Sequence, residues 1–410
     1  MKKPWPIIKL ASAPVQIIDG DRGKNYPKHG EFADSGYCLF LNAGNVTTDG
    51  FNFSDCQFIS EGKDQKLRKG KLIPLDVVMT TRGTVGNIGL NNENVPYDNI
   101  RINSGMVIFR PDPIYLSSDY FYHYLRSPLF KNQVNALKSG VAQPQLPIRD
   151  INHINMALPP RDEQEQISNI LSAYDDLIEN NRRRIELLEQ AARLLYEEWF
   201  VQLRFPGHEH VKKVDGIPED WDKKTAYEAM EIYSGGTPST TDPEYWGEDI
   251  PFYTPKDHSR AAYVLDTERS ITEKGLSNCN SKLYGKNTIF MSARGTVGKI
   301  IMAQRPMAMS QTSYALIGKN NVTQLFLYVA LQQSLQQYKQ RASGAVFDAI
   351  IVDTYKIIPF IIPSKTLIKE YEAFATPIFT QMENLLLSNR NLRQARNLLI
   401  PRLMSGEIAV

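Results

Sequence analysis

Ile167, Leu171, Tyr174, Ile178, Asn181, Ile185, Leu188, Ala192, Leu195 and Trp199 follow one another at alternating steps of four and three, and only Asn181 is polar. That spacing predicts one amphipathic helix whose apolar stripe is the a/d seam of a coiled coil. Pro159-Pro160 ahead of Asp162-Glu163 supplies a helix start with acids at the positive end of the dipole. Running from 162 to 200, such a helix would extend about 58 Å, and a rod of that length needs a partner to cover its seam. Residues 361–410 offer one. Tyr371, Phe374, Ile378, Leu385, Leu392, Ala395 and Leu399 keep the same spacing, with Gln381, Ser388 and Arg402 on the seam. Pro377 inside that pattern predicts a kink or a restart. Either each helix packs on its own globule, or the two pair antiparallel with Asn181 pinning the register. The pairing accounts better for the length.

Outside the helices the period changes. "LIPLDVVMTTRG" (72–83), "MVIFRP" (106–111), "NTIFMSARG" (287–295) and "TSYALIG" (312–318) are short β-type runs, punctuated by loops such as "YSGGTPSTTDPEYWG" (233–247). The helical stretches "SSDYFYHYLRSPLF" (117–130) and "TQLFLYVALQQSLQQYK" (323–339) follow them, so each globule reads as α+β with an irregular sheet. The parts also recur. Arg-Gly-Thr-Val-Gly stands at 82–86 and again at 294–298, 212 positions on. "LKSGVAQPQLP" (137–147) is echoed by "RASGAVFDAII" (341–351), with Ser-Gly at 139–140 and 343–344, and "LEQAARLLYEEWF" (188–200) by "LRQARNLLIPRLM" (392–404), both 204 positions on. A period near 200 indicates duplication of a whole unit, since solenoid repeats are far shorter. The predicted organisation is a first globule at 1–155, a central helix at 156–206, a second globule at 207–360 and a C-terminal helix at 361–410.

Composition narrows the classes. A chain of 410 residues, 42% hydrophobic and 22% charged, is ordinary globular material for two or three domains. It contains no run of 18 apolar residues, and its start lacks the apolar core of a signal peptide, so it reads as soluble and cytoplasmic. Cys38, Cys56 and Cys279 are too far apart for a zinc ribbon or a disulfide framework. The net charge of +2 is unevenly spread: +4 over 1–155, −4 over 156–206, 0 over 207–360 and +2 over 361–410. A DNA-binding surface would therefore be a local patch rather than a basic domain.

Candidates for that patch come from the repeat. Gly83, Gly86, Gly295 and Gly298 suit a tight hairpin turn, which leaves Arg82 and Arg294 unexplained. The whole motif is either a turn alone or a turn that also offers a guanidinium to phosphate or to guanine. Thr84, Thr296 and Lys299 flank the arginines, and Lys256 lies among aromatics in "FYTPKD" (252–257). Lys66, Arg68, Lys69 and Lys71 in "KLRKGK" form either a solvated basic loop or a phosphate-binding one; the second half has only Lys282 and Lys286 there. No catalytic constellation emerges. A Gly-Lys-Ser/Thr phosphate loop is absent, "NVPY" (94–97) lacks an accompanying glycine-rich cofactor motif, and "HEH" (208–210) has no third metal ligand in view.

Taken in this order, the parts resemble the specificity subunits of type I restriction-modification systems. The likeness spans the chain and rests on "LPPRDEQEQISNILSAYDDLIENN" opening the central helix and on the turn motif in both halves. "GIPEDW" (216–221) opening the second globule and "LLIPRLMSGEI" (398–408) near the end complete it. The resemblance implies two target recognition domains, each reading half of a split sequence in double-stranded DNA. It implies two antiparallel helices, an intramolecular coiled coil, that set the spacing and dock two methyltransferase subunits, through which motor-nuclease subunits join. Asp175, Asp176, Glu186 and Glu189, read as exposed beside the seam, are then docking candidates. The chain itself would hold no cofactor and catalyse nothing. A free-standing DNA methyltransferase or nuclease, or a protein-binding scaffold, is the alternative.

Overall fold

The computed structural model describes residues 5–140, 143–259, 261–342 and 349–410. The chain divides into two compact units, Met1–Leu177 with Leu392–Val410, and Ile178–Asn391. Ser343-Gly344, the second copy of the Ser-Gly echo, lies outside the described residues.

The first unit is built on an antiparallel sheet with Val15–Asp19, Met106–Pro111, Val77–Thr80 and Ile88–Leu90 side by side in that order. Successive side chains on these strands point to opposite faces. Val77, Met79, Val107 and Phe109 join a core with helices Ser118–Arg126 and Pro128–Leu137. Val78, Met106 and Ile108 face a smaller sheet in which Cys38–Leu41 lies between Phe58–Ile59 and the parallel strand Ile100–Ile102. Every residue of the two central strands Val77–Thr80 and Cys38–Leu41 is buried, which explains runs of unbroken apolar character where alternation would mark a half-exposed strand.

The second unit repeats the plan. Met230–Ser234, Ser313–Gly318, Ile289–Ser292 and Ile300–Ala303 make the corresponding sheet, extended by Tyr263–Val264. Ile250–Tyr253 takes the place of Cys38–Leu41, again with a parallel neighbour, Ala308–Met309. Outer pairs match as well: Ile7–Lys9 with Asn155–Ala157 in one unit, Asp222–Thr225 with Pro359–Ile362 in the other. Each unit is α+β, and the duplication extends to the whole globule.

Two long helices carry the remaining residues. The central one runs Arg161–Tyr196 and continues as a π-helical turn, Glu197–Val201; the other runs Lys365–Met404 without interruption. In the first unit Ile167 and Leu171 share a core with Ile400, Leu403 and Met404, and Asp175 pairs with Arg396. In the second, Asn181 Nδ2 donates to Asn389 Oδ1 at 2.9 Å, Ile185 and Ala192 pack in one core with Leu385, Met382 and Phe379, and Tyr196 meets Tyr371. Within each unit residue numbers rise along one helix as they fall along its partner, so the pairing is antiparallel. Ile167, Leu171, Asn181, Ile185, Ala192 and Trp199 are buried, while Tyr174, Ile178, Leu188 and Leu195 are half-buried.

The long helices correct three readings. Its buried stripe is Tyr371, Ala375, Phe379, Met382, Leu385, Asn389, Arg396, Ile400 and Leu403, mostly one position beyond the seam read from spacing. Phe374, read as a seam residue, is 58% exposed, and Ile378, Leu392, Ala395 and Leu399 are half-buried flanks. Two adjacent stripes were both largely apolar, and only contact with the partner helix selects between them. Pro377 does not restart the helix, which is continuous across it. It and Ala373, whose carbonyl loses its hydrogen bond to the missing N–H, are both exposed, so water can take up the freed acceptor. Two of the four acids read as exposed are not. Asp175 is enclosed by Arg126 at 2.6 Å and by Arg396, and Glu189 is half-buried; Asp176 and Glu186 are open to solvent.

Candidate nucleic-acid interface

Both copies of Arg-Gly-Thr-Val-Gly close the hairpin between the central strand and its neighbour, and the same bonds hold each. The hydroxyl at the end of the first strand, Thr80 or Ser292, donates to the carbonyl of Thr84 or Thr296. That hydroxyl also accepts the amide of Asn87 at 3.0 Å or of Lys299 at 2.8 Å. The Thr80 and Ser292 carbonyls accept the amides of Gly86 and Gly298, each at 2.9 Å. Such a loop needs left-handed backbone at two places, and the glycines have φ of +73° and +93° in one unit, +75° and +83° in the other. A Cβ on Gly83 or Gly295 would meet nothing within 4 Å, so the demand there comes from the backbone rather than from crowding.

A second strand-like segment backs each turn. Leu146 N–H donates to the Thr81 carbonyl and Gly83 N–H to the Pro144 carbonyl, while in the other unit Ile350 N–H donates to the Ala293 carbonyl. The backbone is thereby fixed from both sides; Val85 and Val297 pack against the cores, and the arginine and threonine side chains of the motif face solvent. Arg82, Thr84, Arg294 and Thr296 are exposed. Among the described residues neither arginine has an ion-pair or side-chain hydrogen-bond partner, a costless arrangement only where the guanidinium faces water or an anionic ligand.

Two neighbouring loops, which spacing alone did not bring out, are fastened to the turn. One is a 3-10 turn, Ala43–Asn45 or Pro255–Asp257, closed by reciprocal bonds of Asn42 with Asn45 and of Thr254 with Asp257. Asn87 Nδ2 donates to the Val46 carbonyl at 2.9 Å, and Lys299 Nζ, at the equivalent position of the other unit, donates to the Pro255 carbonyl at 3.1 Å. Lys256 is exposed on this turn; Lys299 is half-buried and spends one donor internally. His258 beside it is held neutral, its pKa pushed down to about 4 by burial and then by the Lys299 charge. The other loop follows the first strand of each main sheet. A Cβ on Gly20 would stand 2.2 Å from the Asn103 carbonyl oxygen, and one on Gly235 would stand 2.1 Å from that of Ser310. Glycine lets these backbones touch beside the turn, since Thr81 N–H bonds the Gly105 carbonyl and Ala293 N–H that of Thr312. The signal was present in "IIDGDRG" (17–23) against "IYSGGTP" (232–238), but at a spacing other than 212.

The basic run divides. Lys66, Arg68 and Lys69 are exposed, and the Arg68 side chain reaches only to 3.9 Å from Asp21. Lys71 is committed: Nζ lies 2.6 Å from Asp64, a buried carboxylate that Arg101 also grips. Burial would raise the Asp64 pKa, but hydrogen bonds from Lys71 and Arg101 hold it below the usual range. In the second unit Lys286 is paired with Glu383 at 2.6 Å and Lys282 sits 4.2 Å from the Tyr233 ring centre. No group of three or more His, Cys, Asp or Glu is placed to hold a metal among the described residues, and "HEH" forms an exposed turn whose His208 bonds the Phe205 carbonyl. None of the described helices is long and apolar enough to cross a membrane.

Residues 15–190 and 218–370 each match the family model of the type I restriction modification DNA specificity domain. The chain is 24% identical to the HindI specificity subunit of Haemophilus influenzae over 95% of its own length and 98% of the relative's. It is 23% identical to the MjaIX specificity subunit of Methanocaldococcus jannaschii, over 82% and 78%. Among solved structures it resembles the S subunit of a type I restriction-modification system from M. genitalium, with a TM-score of 0.55 at 17% identity, covering 98% of this chain and 96% of that one. At that identity the likeness is one of fold.

Proposed function

Because the chain belongs to the type I restriction modification DNA specificity family, we propose that it is the sequence-reading subunit of such a complex, each globule recognising one half of a split target in double-stranded DNA. One observation carries the reading: the same turn, held by the same bonds, presents an exposed arginine from both units, while the residues around it differ. A binder of two different half-sites needs a shared element for what half-sites have in common, the phosphate backbone, and unshared elements for the bases. Arg82 and Arg294 are the shared element, with Thr84 and Thr296 beside them; Lys66, Arg68, Lys69 and Lys256 add exposed charge. The chain acts by binding rather than catalysis, needs no cofactor of its own, and works where its host's DNA is, in the cytoplasm. Its long helices set the interval between half-sites and dock two methyltransferase subunits, through which motor-nuclease subunits join. Exposed Asp176 and Glu186 on the central helix suit that docking.

The test is competition binding by the complex at several salt concentrations, using duplexes altered in one half-site at a time. Arg82→Ala and Arg294→Ala should each weaken binding to every sequence alike and lower the salt slope by about one unit. Unchanged affinity in both folded variants would reduce the motif to a turn.

A further inference from the structure

The two junctions pinned by Gly20 and Gly235 match in backbone and differ in what they display. In the first unit Arg22, two residues beyond Gly20, donates from Nη2 to the Ser104 carbonyl at 3.2 Å. In the second, Thr237, two residues beyond Gly235, donates its hydroxyl to Gln311 Oε1. Ser104 and Gln311 are equivalent positions, each immediately before the residue whose carbonyl caps the turn: Gly105 for Thr81 and Thr312 for Ala293. The same pair of positions therefore touches in both units, beside the same arginine turn, with different chemistry. Arg22 and Gln311 are both exposed.

On the reading that each globule recognises one half-site, we propose that these paired positions, 22 with 104 and 237 with 311, determine specificity, with Arg22 selecting guanine and Gln311 selecting adenine. The scaffold equivalence places them at one depth relative to the phosphate-binding turn. Arg22 offers donors alone, and among the described residues only its Nη2 is engaged, shared between Ser104 and Asp19 at 3.1 Å. A donor-only group matches the two acceptors, O6 and N7, on the guanine edge. Gln311 differs in offering both polarities. The Thr237 hydroxyl occupies one lone pair of Oε1, and among the described residues Nε2 has no hydrogen-bond partner, so a second lone pair and both Nε2 hydrogens remain to be used. That set matches the adenine edge, where N6 donates and N7 accepts.

The experiment uses the full chain co-expressed with its methyltransferase subunits in a host lacking DNA methylation, and maps modified sites by single-molecule sequencing. Gln311→Ala is expected to turn one defined adenine of one half-site into a degenerate position, with discrimination there falling roughly 5- to 150-fold and the other half-site intact. Gln311→Glu keeps the size, removes the donors, and should shift selection at that position toward cytosine, whose N4 donates. Arg22→Ala should degrade one guanine of the opposite half-site. The glutamate exchange, isosteric at an exposed position, carries the test if the alanine variant fails to fold. A bipartite motif left unaltered by these exchanges, or weakened uniformly, would overturn the assignment while leaving the sequence-reading function standing. A wild-type complex with no bipartite motif would instead overturn that function.

Discussion

Glu189 lies on the central helix within the second unit, and most of its carboxyl is shielded from water. Burial pushes its pKa up to about 7, the Glu186 charge adds to the rise, and the Ala262 backbone amide opposes it. Among the described residues Oε1 has no hydrogen-bond partner. In the unfolded chain the group returns to its ordinary value of 4.5. Between those values the folded state binds the proton more tightly, so stability is greatest below pH ~4.5 and is lost as pH rises toward ~7. A displacement of this size corresponds to ~3 kcal/mol once the carboxylate is fully ionised. Glu189→Gln removes the titration while keeping the shape. The variant is expected to exceed the wild type by less than ~1 kcal/mol at pH 5 and by ~3 kcal/mol at pH 8. Urea unfolding followed by the fluorescence of Trp199 and Trp221, both buried in the core of this unit, would measure it, since other titrating groups cancel in the difference. A gap between the two proteins that stays constant from pH 5 to pH 8 would refute the reasoning.

The position of the C-terminal seam can be checked by paired truncations: Phe379→Ala, 2% exposed in the wild type, should cost about 3–5 kcal/mol, and Phe374→Ala less than about 1 kcal/mol, by the same unfolding assay. Asn181→Ala leaves Asn389 without its side-chain partner and should cost about 1–3 kcal/mol, whereas leucine at both positions should restore stability, and native mass spectrometry would then report whether the helices still pair only within one chain. Gly295→Ala places a side chain at φ +75° in open space and should cost about 1–2 kcal/mol in the second unit while leaving the first unit's unfolding unchanged.

The sequence by itself determined the duplication, the α+β character of each globule and the central helix. These are local or periodic properties. Nine apolar residues at steps of three and four define one face whatever lies opposite, and Arg-Gly-Thr-Val-Gly forms its turn because two glycines and a preceding hydroxyl residue stand at the right intervals. Tertiary structure decided the rest. On the C-terminal helix Phe374 and Ala375, Ile378 and Phe379, Leu385 and Leu386 are neighbours in sequence. Only packing against Ile185, Ala192 and the aromatic cluster around Phe200 selects one stripe as core. Asp175 and Glu189 looked like surface acids because charge predicts exposure on average, whereas Arg126 and Arg396 approach Asp175 from distant parts of the chain. The same limit hid the junctions of Gly20 with Asn103 and Gly235 with Ser310. A close approach between backbones is set by the path of two strands, and no spacing along one chain records it.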